Sequence, residues 1–573
     1  MANRCPLCGR EKLGNEKYCE YCQHFICELC GERLSKGYCA ICGSLICEED
    51  SKMVGYARIC KRCLKKYPEL ENPLKLKNFV KERSKFFTKF TKPKPELLIK
   101  VGDINQAKKE VFMFIGIDDT DSPYGMCTTL VGAKLAYFLI KLVKFVDYPR
   151  LVRLNPNIPS KTRGNASISL RFLTSVGEIE NVIEKVLEVV SRNTHVEFKK
   201  TSTVVSFYIN TEYAINKQFY EIYKQAVKDV ITPRMVIEKI KNITKGALRV
   251  YTFGKENGIV GSISAIGAIF NDYTFELLAY RKEESYGKER IIDINTVIDM
   301  DKKFRKHTFN NIYGSRMLIA PKGPDPVLFG IRGDLPDKLI EAFLMLKHED
   351  ISLWCLYKTN QGTGEHIIEI DDIEEARPYQ TISFSAIVKG IQKEDDKVIL
   401  NSVKNGWDIK IYVYKPHKYL RGFIEKLEKG DELKIVGNVT KREDGFLEIN
   451  LEEFKPLFLM PKEKMINPIC PKCGKTMKKK GENYYKCKNC KFTINYDRKL
   501  VILEKRTDLQ IGKRYLPPPT AHRHLTMPQS REEFRALKLS GKLKIPLIKP
   551  FVGKNKKGLK ISKADYVDEP RII

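Results

Sequence analysis

The sequence predicts a multidomain α+β protein, and three observations carry that reading. At 573 residues the chain is too long for one hydrophobic core, cysteine pairs with metal-ligand spacing stand near both ends, and the stretch between passes from strand–helix alternation to a nearly all-β order. The formal charge of +31 points to a polyanion, because each phosphate neutralised by Lys or Arg releases counterions. Nucleic acid is the expected partner, and the lysines from Lys538 to Lys563 read as part of a basic C-terminal segment, 496–573. Met1 is followed almost at once by Cys5-x-x-Cys8 rather than by a basic end and an apolar core, so nothing marks export. The most apolar run, Leu130 to Val146, is broken by Lys134, Lys141 and Lys144; it reads as an amphipathic helix and not a bilayer span, so no membrane is expected. The cytoplasm is the expected location, and in that reducing setting seventeen cysteines speak for metal ligation over disulfides.

Residues 1–65 hold a triple zinc-binding repeat whose units begin at Cys5, Cys27 and Cys47. They read Cys5-x-x-Cys8 with Cys19-x-x-Cys22, Cys27-x-x-Cys30 with Cys39-x-x-Cys42, and Cys47-x-x-Asp50 with Cys60-x-x-Cys63. Two thiolate pairs at this separation can close a tetrahedral Zn²⁺ site, which stabilises a segment too short for a core of its own. Asp50 stands where a fourth Cys belongs, as a ligand or as a solvated turn residue. A cross-braced pairing, with alternate pairs sharing a metal, fits the spacing equally well.

Residues 66–110, rich in Lys and Pro with Phe79, Phe86, Phe87 and Phe90 among the charges, read as a basic linker with one helix. From Val111 to about Arg377 strand and helix patterns alternate in a catalytic body. The expected elements are strands at 111–117, 167–173, 202–209 and 273–280, helices at 130–146, 179–191 and 336–346, and a Gly-rich helix start at 258–267. Residues 378–458 present three strand patterns, a helix at 418–427 and two more strands, the order of an OB-fold that binds single-stranded nucleic acid. In 466–495, Cys470-x-x-Cys473 and Cys487-x-x-Cys490 have zinc-ribbon spacing, a closed structural site.

The strongest catalytic signal is Asp118-Asp119-Thr120-Asp121-Ser122 at the end of an apolar strand. Carboxylates this close repel unless a cation sits among them, which suits Mg²⁺. Gly125-Met-Cys127-Thr128-Thr129 opens the next helix, where unpaired amides and hydroxyls can meet an ATP phosphate. Lys161-Thr-Arg163-Gly164-Asn165 could clamp a triphosphate, and no P-loop string occurs in the chain.

These residues closely resemble archaeal tRNA(Ile) 2-agmatinylcytidine synthetases. The likeness runs through Phe114 to Thr129, Lys161 to Asn165, Gly261-Ser262-Ile-Ser-Ala-Ile-Gly267, Thr308 to Asn311, Ala320 to Asp334, Asn360-Gln361 to His366, and Pro519 to Leu525, roughly residues 111–528. It implies a kinase-like ATP-binding catalytic domain at 111–245 and a ferredoxin-like substrate domain at 246–377. The implied reaction uses ATP, taken to AMP, to replace the C-2 oxygen of the wobble cytidine in a CAU-anticodon isoleucine tRNA with the amine of agmatine, so that the tRNA reads AUA.

By the same resemblance Asp118, Asp119 and Asp121 are metal-binding catalytic acids and Thr128 a self-phosphorylated threonine. Thr120, Ser122, Cys127, Thr129, Lys161, Arg163, Gly164 and Asn165 would surround ATP, and Gly261, Ser262, Asp325, Asn360 and Gln361 would face substrate. Asp325 and Asp334 are candidate partners for a guanidinium. His522 and His524 read equally as RNA contacts or surface residues, and His366 as a satisfied internal histidine. The chain departs from the family in having no basic residue beside Gly258 and in the pair Gly364-Glu365. A scaffold that only binds RNA is the alternative, and such a scaffold would have no reason to keep the acids, Thr128, Lys161 and Arg163 together.

Overall fold

The computed structural model describes residues 4–573 except 56, 88–92, 105–107, 123–124, 162–163, 195–201, 324–325, 415–417, 497–499, 505, 557 and 567. Ten strands form the spine of the central sheet: β1 Glu96–Val101, β2 Glu110–Asp118, β3 Arg150–Arg153, β4 Ala166–Ser175, β5 Val204–Asn210, β6 Ala247–Thr252, β7 Thr274–Arg281, β8 Thr308–Phe309, β9 Val327–Gly333 and β10 Ile351–Thr359. Across the sheet they run β8-β9-β7-β10-β3-β4-β2-β5-β6-β1. Neighbours are antiparallel except β3 and β10, where Arg150 and Leu151 lie parallel to Lys358 and Thr359.

Helices cover both faces, which explains why the strands are apolar on both sides. Along β2, Met113, Ile115 and Ile117 enter one core with α1 (Thr128–Leu139) and α2 (Ile179–Ser191), while Phe114 enters the other with α3 (Lys217–Lys228) and α4 (Ile259–Gly267). At Gly116 a Cβ would overlap the carbonyl of Ser262, so only glycine lets α4 lie this close to β2.

Three expectations change here. The helix expected over 130–146 ends at Leu139, and Lys144–Phe145 is a short strand on β4 that seats Phe145 against Phe172 and Phe551. The linker expected over 66–110 is built in: Pro73–Phe87 is helical and β1 extends the sheet beside β6. Strand β6 pairs with β5 and β1, so it belongs with the first half, and the division expected at 246 falls ahead of a strand of that half. The two halves then join through β3 and β10 in one sheet.

Strands 381–393, 397–404, 407–414, 446–458 and 432–443 pair in that order and close when the last returns to the first, with a helix over Lys418–Ile424 between third and fourth. The ribbon follows as a small three-stranded sheet around Cys470, Met477, Tyr485 and Cys487.

The C-terminal segment, expected only to be basic, runs back along the body as a strap. Val552–Gly553 pairs with β10, and Arg571–Ile572 runs beside Ala214–Ile215. Glu569 accepts from Arg150 at 2.7 Å and Lys358 at 2.6 Å. Lys538, buried, binds Asp334 at 2.8 Å. A lysine held by a buried carboxylate is not available to RNA.

Candidate active site and metal clusters

Metal-ligand groups fall out of the fold directly. Cys5, Cys8, Cys19 and Cys22 form one cluster, Cys39, Cys42, Cys60 and Cys63 a second, Cys27, Cys30, Cys47 and Asp50 a third, and Cys470, Cys473, Cys487 and Cys490 a fourth. The first is local, whereas the second and third bring alternate pairs together, the cross-braced one of the two arrangements the spacing left open. Zn–S bonds of about 2.3 Å place sulfurs about 3.8 Å apart in a tetrahedron. The Cys42–Cys60 separation of 3.9 Å and the 3.4 Å separations of Cys8–Cys19 and Cys470–Cys490 suit it. Asp50 turns an oxygen to within 3.0 Å of the Cys47 sulfur and 3.4 Å of Cys27, within reach of the same centre as the three thiols. Arg33 also reaches Asp50, at 3.3 Å, offsetting the negative charge of that donor set.

A cavity of about 1050 Å³ opens where β2 ends. Asp118 stands at the strand end, and Asp119 takes a left-handed backbone (φ +57°). The Asp119 carboxylate accepts from the Ser202 amide at 2.6 Å, and its carbonyl from the Thr203 hydroxyl at 2.8 Å. Helices α1 and α4 both start at this cavity, adding the positive ends of two helix dipoles. Gly261 in the first turn of α4 leaves room for the Asp118 carboxylate, which a Cβ there would strike.

Burial pushes Asp118 up to about 8, with Asp121 adding, and holds Asp119 well above the usual carboxylate range, with Asp118 and Asp121 adding. Half-buried acids that close to one another take up protons or a cation, so this donor set fits Mg²⁺. The opposite wall is cationic. Burial, reinforced by Arg523, lowers Lys161 to about 7, and burial lowers Arg153 to about 10. His524 is held well below its ordinary value by burial and by Arg153. Cations disfavoured in this way are stabilised by an incoming anion such as a triphosphate.

The expected residues divide into three groups. Asp118, Asp119, Asp121, Cys127, Thr128, Thr129, Lys161, Gly164, Asn165 and Gly261 line the cavity. Thr120, Ser122, Ser262, Asn360 and Gln361 are buried behind it. Thr120 bonds the Thr128 hydroxyl at 3.2 Å, Ser262 bonds Ser206 at 2.8 Å, and Ser122 bridges to Gly125. Asn360 accepts from the Arg153 amide at 2.8 Å and Gln361 from its guanidinium at 2.9 Å, so both hold Arg153 in place instead of facing substrate. Arg163 and Asp325 lie outside the described residues.

Cys127, not a threonine, caps α1, and makes no side-chain capping bond, leaving Thr128 with its hydroxyl toward Thr120. Asp334 does meet a guanidinium, that of Arg531 at 2.9 Å within this chain. His366 is buried against Glu452 at 3.0 Å, and Glu365 accepts from Tyr223 at 2.6 Å. Sequence reading missed Arg153, Glu276 and Arg332, which line the cavity, Arg332 binding Glu276 at 2.8 Å. Arg153 sits in a strand buried along its whole length, which only the folded sheet reveals.

Paired acids facing cations at two helix starts, with a closed β-barrel and a cysteine ribbon attached, are the features expected of a nucleotide-using enzyme that acts on a large polyanion. The comparisons agree. Family models for the TiaS TCKD domain, the TiaS FLD domain and the TiaS C-terminal zinc ribbon domain match residues 114–255, 256–366 and 467–507. TiaS of Pyrococcus horikoshii, a 2-agmatinylcytidine synthetase for isoleucine tRNA, is 36% identical over 435 residues, covering 74% of this chain and 99% of that protein. That of Methanocaldococcus jannaschii is 35% identical over 429 residues, 73% of this chain and 98% of the relative. The crystal structure of TiaS in complex with its isoleucine tRNA and ATP superposes with a TM-score of 0.61 at 30% identity, over 74% of this chain and 98% of that one. A complex of TiaS with the same tRNA, AMPCPP and agmatine gives 0.60 at 29%, with the same coverage. The chain belongs to the TiaS family.

Proposed function

We infer that this chain carries the family's activity: it joins agmatine to the C-2 position of the wobble cytidine of an isoleucine tRNA, using ATP. The observation that carries the reading is the cavity itself, where three acids face Lys161, Arg153 and Arg332 across a space open to both helix starts. The C-2 oxygen of cytidine is a poor leaving group until it takes one phosphoryl group from ATP; agmatine's primary amine then adds at C-2 and loses a proton, the C–O bond breaks, and inorganic phosphate leaves with that oxygen, while the second phosphoryl group lost as ATP becomes AMP is taken by water. Asp118, Asp119 and Asp121 would hold Mg²⁺, which when bound neutralises phosphate charge. Lys161, with Arg163 beside it in sequence, would orient the triphosphate, and Thr128 would present its hydroxyl for phosphorylation at the start of α1. Glu276, buried beside the cavity, is a candidate partner for agmatine's guanidinium.

The barrel's strand order supports an OB-fold that grips single-stranded RNA, and the ribbon and closed cysteine clusters would be structural zinc sites. We place the reaction in the cytoplasm; among the described residues no helix is long and apolar enough to cross a membrane. The test is mass spectrometry of nucleosides from an isoleucine tRNA transcript incubated with enzyme, ATP and agmatine. The expected product is agmatidine, and unmodified cytidine would refute the reading.

A further inference from the structure

The N-terminal metal clusters precede the segments the family models match, which begin at residue 114. They are nevertheless docked on both the catalytic body and the barrel. Arg10 makes two hydrogen bonds of 2.6 Å to the Asp229 carboxylate, and the Thr232 hydroxyl donates to Glu20 at 2.8 Å. Phe25 is buried with Leu45 and Val230, its ring 5.4 Å from that of Tyr379. On the barrel side the Tyr379 hydroxyl donates to the Ser35 carbonyl at 2.7 Å, and Arg442 lies against Gly9. An element tied to both the catalytic body and the barrel is a fixed wall.

That wall faces two connected spaces. Phe25, Ile26 and Glu28 line the cavity that holds the acids. Lys36 and Arg58 line a second groove of about 800 Å³, whose other side is the barrel with Lys397, Tyr412 and Tyr414. The spaces share Arg153, Lys161, Gly164 and His524, so the groove leads to the catalytic cavity. Among the described residues six cations line it, Lys36, Arg58, Arg153, Lys161, Lys397 and Arg523, against the carboxylates of Glu48 and Glu448. Tyr412 and Tyr414 stack with ring centroids 6.3 Å apart, and Tyr414 is 40% exposed. A cationic groove with stacked aromatic rings suits a single nucleic-acid strand, whose phosphates need charge and whose bases need a π surface.

We propose that the N-terminal metal array is the second wall of a single-strand RNA channel. In it Lys36 and Arg58 contact phosphates of the nucleotides flanking the target base, while Tyr412 and Tyr414 stack on their bases. The proposal rests on reading the cavity as the site of tRNA modification. It is tested with isoleucine tRNA carrying 4-thiouridine at the uridine of its CAU anticodon, bound to the full-length protein and irradiated. Cross-links are expected in peptides spanning 34–58 and 407–414. Lys36→Glu/Arg58→Glu, compared at unchanged zinc content, should bind tRNA more weakly with a salt slope smaller by about 1.4, the value for two single-strand phosphate contacts. The milder Lys36→Ala should lower it by about 0.7 on the same basis. Cross-links confined to the ribbon and catalytic body with an unchanged slope would overturn the proposal, even where agmatine incorporation proceeds. Cross-links at the array in a protein that attaches no agmatine would leave the channel standing and remove the functional reading instead.

Discussion

Asp119 shows how much of the site depends on one charge. Asn tolerates a left-handed backbone and can still accept from the Ser202 amide, so Asp119→Asn keeps the loop and deletes one negative charge. Agmatine incorporation should fall by about 10²-fold or more, the usual cost of losing a main electrostatic contributor, while tRNA affinity by filter binding stays unchanged. Equal rates would remove the acid from the chemistry. Lys161 carries a pH signature. Burial, reinforced by Arg523, holds it near 7 against an ordinary value of 10.5, and a bound triphosphate would raise it again. Nucleotide binding at pH 8 should therefore take up a proton, and ATP affinity should weaken as pH rises above about 7. Calorimetry in two buffers of different ionisation enthalpy, with ATP titrated into Mg²⁺-saturated protein so that protons displaced from Asp118 and Asp119 are already released, measures the uptake; equal uptake in wild type and Lys161→Met would contradict it. The acids and Lys161 were legible in the sequence because adjacent like charges at a strand end need a cation. Arg153 was not, because its partner Gln361 is 208 residues away and only the sheet brings them together.

At the level of elements, periodicity showed which strands are buried but not where the chain turns. The run 130–146 has one apolar texture, yet the segment splits into helix and strand because Phe145 packs on β4. Composition likewise could not place the C-terminal segment, since it does not reveal that Lys538 pairs with Asp334 and Glu569 with Lys358 inside the body. Burial alone would raise the Glu569 carboxyl, but Arg150, Lys358 and Arg171 outweigh it and hold it near 2, against an ordinary 4.5. A carboxyl lowered on folding contributes stability that is present above about pH 4.5 and is lost as pH falls toward 2. Glu569→Gln should therefore lower Tm at pH 7 and flatten the loss of Tm between pH 4.5 and 2. Its side chain keeps 23% exposure, so the cost should fall below the ~3–5 kcal/mol typical of breaking a fully buried pair. Thermal denaturation across pH would expose a free tail by showing no difference from wild type.

For the whole molecule, the four donor sets among the described residues predict four zinc ions by elemental analysis, falling to three in Asp50→Ala if the carboxylate is the fourth ligand of its cluster. Truncation then separates the metal array from the body it leans on, and the cut site decides what is learned. Removing residues 1–105 would take β1 along with the array, stripping the edge from β6 and exposing backbone groups that β1 pairs over Leu248 to Thr252. Removing residues 1–92 leaves β1 in the sheet and exposes mainly the Phe25 docking surface at Val230 and Tyr379. The shorter deletion should keep a cooperative melt close to wild type and retain ATP binding, because the acids, Lys161 and both helix starts are untouched. The longer one should melt at clearly lower temperature, since an unpaired edge loses ladder bonds as well as the half-buried Leu98 and Ile99. Differential scanning calorimetry of the two proteins decides it. Equal melting temperatures would mean that β1 adds nothing to the sheet and that 66–110 behaves as the tether its composition suggested.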